Sequence, residues 1–94
     1  MELNQLRTKI NEIDEEILNL FLRRMEVAGQ VAEYKKARHL PIYQPQREEE
    51  ILKKVEEKAG PEMGGHARAL FATLMELSKD IQRSRAHHDN NEVI

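Results

Sequence analysis

The stretch that decides the fold is residues 3–38, LNQLRTKINEIDEEILNLFLRRMEVAGQVAEYKKAR, where apolar side chains recur at steps of three and four. The recurring side chains are Leu3, Leu6, Ile10, Ile13, Ile17, Leu20, Val27, Val31 and Tyr34. Gly29 is the one weak helix former in the stretch, and the first strong breaker is Pro41. The spacing predicts one amphipathic helix from about residue 3 to about residue 38, roughly 50 Å long.

The apolar face of a helix of this length is too long for the rest of the chain to cover. The chain has 94 residues, and a compact domain of that size has a radius of gyration of about 13 Å. The remaining residues therefore cannot enclose the helix. The sequence predicts a homodimer in which two long helices bury each other's apolar seams.

The composition excludes several classes of protein. Without Cys, the chain has no disulfides, thiolate metal sites or Cys nucleophile. Fifteen Lys and Arg against seventeen Asp and Glu give a net charge of −2, which lacks the basic excess typical of nucleic-acid binding. No apolar run approaches the roughly 20 residues that cross a bilayer, and Met1 leads almost directly into the amphipathic pattern, without the apolar region typical of a signal peptide. We expect an all-α cytoplasmic protein that binds neither nucleic acid nor membrane.

Two shorter helices are predicted after the long one, because Pro and Gly punctuate the rest of the chain. The predicted order is a loop at 39–45, a helix from Pro45 to Gly60, a loop ending at Gly65, a helix from about His66 to about Arg85, and a flexible tail at 86–94. The chain is therefore expected to form one domain over residues 1–94, with its core at about 3–85.

Helical geometry places several polar residues among the apolar ones. They are Arg24, Lys35, Arg47, Glu48, Ser78 and Gln82. Lys35 follows Arg24 by eleven residues and so lies about 20° away around the same helix. Because buried charges are costly unless a partner or ligand satisfies them, this set predicts a cationic cavity for a small anionic molecule.

Each of these residues alone also has a structural interpretation. Arg24 could pair with a Glu across a dimer and set its register. Glu48 suits the first turn of a helix, where the macrodipole favours negative charge, and Ser78 could bond back to its own helix. The histidines lack the spacing of a helical metal site, so we expect neither a metal nor a cofactor.

A set of short motifs then adds to this pattern. They are Leu6-Arg7, Ile10, Ile13-Asp14, Arg23-Arg24, Tyr34-Lys35, Pro41-Ile42-Tyr43, Arg47-Glu48, and Ser78 followed by Gln82. In this order and spacing, across about residues 3–85, the sequence resembles the all-helical class of chorismate mutase. The resemblance implies an intertwined dimer of three-helix chains with two active sites.

The resemblance also implies a role for each polar residue. Arg24 would bind a substrate carboxylate, and Lys35 would contact a carboxylate and the ether oxygen. Gln82 would donate to that oxygen from the other side, and Glu48 would accept from the ring hydroxyl. Arg47 would line the pocket and orient Glu48, while Ser78 would assist at a carboxylate.

Two further positions follow from the resemblance. Arg7 would reach the substrate from the partner subunit, which agrees with its place on the helix, about 25 Å along the axis from Arg24. Gln44 stands where many relatives carry Asp near the substrate hydroxyl. We expect activity to be retained if the backbone makes that contact.

The expected reaction is the rearrangement of chorismate to prephenate, in which one carbon–oxygen bond breaks as a carbon–carbon bond forms. It needs a compact dianion and donors aimed at the ether oxygen, not a nucleophile. One alternative is an isochorismate-pyruvate lyase of the same fold, although Glu48 favours the mutase. Another is a non-catalytic dimerisation or regulatory domain of a shikimate-pathway enzyme.

Overall fold

The chain folds into two helices joined by one loop. The computed structural model describes the backbone of residues 2–92 and the side chains of residues 2–86. Helix α1 spans Leu3–Ala37 and helix α2 spans Pro45–Glu92. No strand occurs in the described part of the chain. The all-helical prediction is confirmed.

Helix α1 matches the predicted long helix to within one residue at its end. At its start, the side chain of Gln5 accepts a hydrogen bond of 2.9 Å from the backbone N–H of Glu2, which satisfies one of the free donors of the first turn. At its end, the chain leaves the helix through His39, whose φ is 55°. Gly29 does not interrupt α1, and a Cβ atom at this position would lie only 2.8 Å from the guanidinium carbon of Arg85.

Helix α2 spans the region of the two shorter helices predicted from the sequence, so the structure has two helices and not three, although α2 is interrupted at Gly60, where the second helix was predicted to end. Within α2 only Gly60 has non-helical backbone angles, with φ 88° and ψ 172°. The predicted loop from Gly60 to Gly65 is absent, because Pro61 suits the first turn of a helix and lets it restart at once. Gly64 stays helical where a Cβ atom would lie 3.0 Å from the backbone oxygen of Glu56.

The break at Gly60 folds α2 back on itself. We call residues 45–59 its N-terminal arm and residues 61–92 its C-terminal arm. Glu48 and Lys79 are 31 positions apart, which is about 46 Å along a straight helix, yet their charged atoms lie 3.2 Å apart. Arg68 ties the arms together on the surface through Glu49 at 2.9 Å and Glu56 at 3.1 Å.

The chain buries little of its apolar surface by itself. The buried apolar side chains are Met25, Ala28, Ala32 and Met75. All lie where the second half of α1 packs on the C-terminal arm, whereas residues 2–20 are exposed throughout. The chain is 59 Å long and has a radius of gyration of 17.0 Å, well above the roughly 13 Å of a compact domain of this length.

Two other predictions concern membrane-spanning segments and the C-terminal tail. No helix in residues 2–92 is long and apolar enough to cross a membrane. The predicted flexible tail, residues 86–94, falls almost wholly outside the residues whose side chains are described, and its mobility stays a prediction.

Candidate active site

One cavity of about 330 Å³ opens between α1, the loop and both arms of α2. Its polar lining consists of Arg24, Lys35, Gln44, Arg47, Glu48, Ser78, Lys79 and Gln82. Its apolar lining consists of Val27, Ala28, Val31, Ile42, Ile51 and Met75. Seven of the eight site residues predicted from the sequence therefore meet around one small space, and Arg7 does not.

Arg24 enters the cavity from α1 and is held by the C-terminal arm. Its Nη1 donates to the hydroxyl of Ser78 and, at 3.5 Å, to the backbone oxygen of Leu74. The hydroxyl of Ser78 in turn donates a hydrogen bond of 2.9 Å to the same backbone oxygen. Burial lowers the pKa of Arg24 from its ordinary value. Both contacts use Nη1, so among the described residues Nε and Nη2 remain available to a bound anion.

Lys35 lies further along α1 than Arg24, close to the loop. Its Nζ donates to the backbone oxygen of Ile42 at 2.9 Å and to Oε1 of Gln82 at 3.1 Å. Burial lowers the pKa of Lys35, and the nearby charge of Glu48 partly opposes that effect. Because an ammonium has three donors, one remains for a ligand.

Gln82 is oriented by this contact with Lys35. The side chain is buried, with 7% of the residue exposed. Since its Oε1 accepts from the ammonium of Lys35, its amide NH₂ is the group left to donate. Lys35 and Gln82 thus form adjacent donors, one charged and one neutral.

Glu48 provides the acidic wall of the cavity. It lies in the first turn of α2, where its backbone N–H donates to the oxygen of Gln44 at 3.1 Å, and the macrodipole favours its charge. Its side chain is 22% exposed. Gln44 is half-buried beside it, whereas Arg47, which was expected among the apolar residues, is exposed at the rim of the cavity.

Lys79 is the polar residue of the cavity that sequence reasoning missed. It is buried, with 6% of the residue exposed, and its Nζ lies 3.2 Å from the carboxylate of Glu48. A signal existed, because position 79 lies about 40° beyond Met75 around the helix, at the edge of the apolar face.

Arg7 is exposed on the first half of α1. It precedes Arg24 by seventeen residues, which corresponds to about 25 Å along a helix. The cavity of its own chain is therefore beyond its reach, and its predicted role in a partner's cavity stays a prediction.

The arrangement suits a small molecule with two negative charges. Arg24 and Lys35 both face the space, and their partners among the described residues are neutral oxygens. Partial burial of both cations lowers their pKa, although two of the apolar lining residues, Val27 and Val31, are 54% and 40% exposed on the chain by itself. The carboxylate of Glu48 and the amide NH₂ of Gln82 complete the polar lining, so a ligand can be recognised at several points.

Residues 6–83 match the chorismate mutase type II family. The chorismate mutase of Methanocaldococcus jannaschii is 32% identical over 95 residues, covering 96% of this chain and 93% of that protein. A conserved hypothetical protein from Pyrococcus furiosus has a similar structure, with a TM-score of 0.73 and 36% identity over 85% of this chain and 93% of the other.

Longer relatives match through part of their length. The bifunctional chorismate mutase/prephenate dehydratase of Aquifex aeolicus is 46% identical over 54 residues, which cover 57% of this chain and 15% of that protein. The T-protein of Haemophilus influenzae is 43% identical over 61 residues, covering 62% of this chain and 16% of that protein. The chain thus spans less than a fifth of these two proteins.

Proposed function

Because the chain belongs to the chorismate mutase type II family, we propose that it is an isomerase that converts chorismate to prephenate. The observation that carries the proposal is the convergence of Arg24, Lys35 and Gln82 on one cavity. The matched range, residues 6–83, includes all three of these residues. The second activity in the name of the Aquifex relative is not part of the proposal, since the chain spans 15% of that protein.

The reaction needs the substrate to be held in a compact conformer before bonds change. Arg24 binds one carboxylate through its unused N–H groups, with Ser78 fixing the guanidinium from behind. The one remaining donor of Lys35 is shared between the other carboxylate and the ether oxygen. Holding both ends of the dianion replaces a freely rotating substrate with one whose reacting carbons lie close together.

The bond change then develops charge that the cavity stabilises. As the carbon–oxygen bond of the ether breaks and the carbon–carbon bond forms, negative charge builds on the ether oxygen. Lys35 and the NH₂ of Gln82 donate to this oxygen, and the interaction strengthens towards the transition state. No proton has to be transferred, and no covalent intermediate forms.

The remaining side chains recognise the ring. Glu48 accepts a hydrogen bond from the ring hydroxyl. Gln44 lies beside Glu48 at the first turn of α2 and offers an amide where relatives often carry Asp, and Arg47 closes the rim. The presence of Glu48 also favours the mutase over an isochorismate-pyruvate lyase of the same fold.

The functional unit in this proposal is a homodimer. Residues 2–20 are exposed on the chain by itself, although the apolar stripe of α1 runs through them. A second copy would cover that stripe and bring its own Arg7 to the cavity. The cytoplasmic location predicted from the sequence belongs to this proposal as well.

The direct test is turnover of chorismate by the purified chain. We expect saturable loss of chorismate with formation of prephenate, and no release of pyruvate from isochorismate. Arg24→Ala should lower kcat/KM by about a thousandfold, because it removes a charged contact to a carboxylate in a dry cavity. Pyruvate release would favour the lyase, and an inactive wild-type chain that binds a partner enzyme would favour the regulatory domain.

A mixing experiment tests the shared cavity. Arg7→Ala and Arg24→Ala chains are each expected to be inactive. In a heterodimer of the two, one cavity receives both defects and the other receives both intact arginines. Unfolding and reannealing the mixture should restore partial turnover, whereas confirmed heterodimers without turnover would contradict the shared site.

A further inference from the structure

Lys79 is a buried cation with an unusual set of contacts. Its Nζ lies 3.2 Å from each carboxylate oxygen of Glu48 and 2.7 Å from Oε1 of Glu76. It also lies 4.6 Å from the centre of the Tyr43 ring, within the range of a cation–π contact. The ammonium therefore joins both arms of α2 to the loop.

These contacts occupy the ammonium fully. An ammonium has three donors, and the two carboxylates with the aromatic face account for them. Lys79 differs in this respect from Lys35, which keeps a donor for a ligand. Although Lys79 lines the cavity, its charge is directed at Glu48 and not at the space.

Glu48 needs such a partner to serve as an acceptor. Its side chain is 22% exposed, and a half-buried carboxylate in an apolar wall is costly without a cation or donors to hold it. Lys35 faces Glu48 from α1 and adds attraction at longer range. Lys79 provides the direct contact, from the same side as Tyr43 and Glu76.

We propose that Lys79 is a positioning residue, which holds the carboxylate of Glu48 in the place and rotamer where it accepts the ring hydroxyl of the substrate. This inference rests on the proposed function. It assigns to the cavity a residue that acts through Glu48 rather than by touching the substrate.

The test is a double-mutant cycle in the full-length chain, read by kcat and KM for chorismate. The variants are Lys79→Met, Glu48→Gln and the two combined, with Lys79→Arg as the conservative variant. Lys54→Met removes an exposed lysine from the N-terminal arm and is the matched control. Circular dichroism and thermal unfolding show which variants remain folded.

We expect Lys79→Met to lower kcat/KM by about tenfold, and Lys79→Arg to recover most of that loss because a cation again faces Glu48. In the Glu48→Gln background, Lys79→Met should lower kcat/KM by less than about twofold, since no carboxylate is left for Lys79 to position. The double variant also keeps the proposal testable if Lys79→Met is unstable, because it leaves no buried carboxylate unpaired. The other carboxylate partner of Lys79, Glu76, is 66% exposed and remains solvated.

Equal losses from Lys79→Met in both backgrounds would overturn the inference, since Lys79 would then act independently of Glu48. Full activity of folded Lys79→Met would overturn it as well. Both results require an active wild-type chain. A wild type and Lys54→Met control that fail to convert chorismate would instead contradict the proposed function.

Discussion

Truncating the apolar stripe on the first half of α1 should dissociate the proposed dimer. Ile10, Ile13 and Ile17 lie within about 60° of one another around the helix. They are 56%, 54% and 57% exposed on the chain by itself. The perturbation is the triple change of these residues to Ala, which shortens the side chains and retains a strong helix former.

The magnitude follows from the exposed fractions. Burying a whole isoleucine side chain contributes about 1.5 to 3 kcal/mol. Because slightly more than half of each is left for a partner to cover, each contributes about 1.2 kcal/mol to association. Two-fold symmetry doubles the three contributions to about 7 kcal/mol for the dimer. Because Ala keeps the Cβ atom, about three-quarters of this contribution is lost, or roughly 5 kcal/mol. The Kd should therefore rise by about four orders of magnitude.

Sedimentation velocity over a dilution series measures the change directly. The wild-type chain should sediment as a dimer and the triple variant as a monomer. The activity per chain should fall in parallel, because each cavity would lose the partner's arginine. Changing Glu12, Glu15 and Asn19 to Ala on the opposite face of the same helix is the matched control, and it should leave the dimer intact.

Two results would refute this reasoning. A wild-type chain that sediments as a monomer and still turns over chorismate would show that the cavity needs no partner. A triple variant that remains dimeric with an unchanged Kd would show that the stripe lies outside the interface.

Three other substitutions test the cavity and the turn in α2. Arg24→Lys should keep the charge yet lower kcat/KM by about a hundredfold, because a single ammonium cannot replace the planar fork; near-wild-type kinetics would contradict the proposed carboxylate contact. Burial lowers the pKa of Lys35, and the protonated form is the one that the reaction needs. As the pH rises, kcat/KM should therefore begin to fall before the pH reaches 10.5, the ordinary pKa of lysine. In Lys35→Arg, pH–rate profiles should lack that alkaline limb. Gly60→Ala should destabilise the fold by about 1 to 3 kcal/mol in urea unfolding, because φ is 88° there although nothing lies within 4 Å of the added Cβ. An unchanged midpoint would mean that the turn relaxes freely.

The long helix could be predicted from the sequence because its signal is periodic and local. Steps of three and four fix one face over 35 residues, and Pro41 marks the region where the helix has to end. The polar set was found in the same way, since a charge within an apolar arc is visible by counting. The cavity is lined by the residues found in this way, which include Arg24, Lys35, Glu48, Ser78 and Gln82.

The turn at Gly60 could not be predicted in detail, because paired glycines read as a loop when only local conformational preference is considered. Gly64 in fact serves the close approach of the two arms, where its missing Cβ leaves room for the backbone of Glu56. That contact joins residues on different arms, so no local pattern reveals it. Tertiary packing overrides the weak helix propensity of glycine here.

Lys79 was missed for a related reason. A lysine at the edge of an apolar face is usually solvated, with its stem along the surface and its charge in water. This one is buried because the fold of α2 at Gly60 brings Glu48 within 3.2 Å. The pairing of Lys79 with Glu48 depends on the reversal of the chain at Gly60. Periodicity along one helix does not indicate which residue of another segment lies opposite a given side chain.

The partners of the cavity's cations divide them into two kinds. Among the described residues, the hydrogen bonds of Arg24 and Lys35 go to hydroxyl, amide and backbone oxygens, which orient a charge without neutralising it. Lys79 instead meets two carboxylates. A dianion entering the cavity therefore finds two oriented cations that have no carboxylate as a hydrogen-bond partner and are already partly desolvated by the fold. The third cation is already neutralised, so it stabilises Glu48 without competing for the ligand. This separation predicts that charge removal at Arg24 or Lys35 weakens binding of any dicarboxylate more than charge removal at Lys79 does, and that the Lys79 change is felt most by ligands that carry the ring hydroxyl.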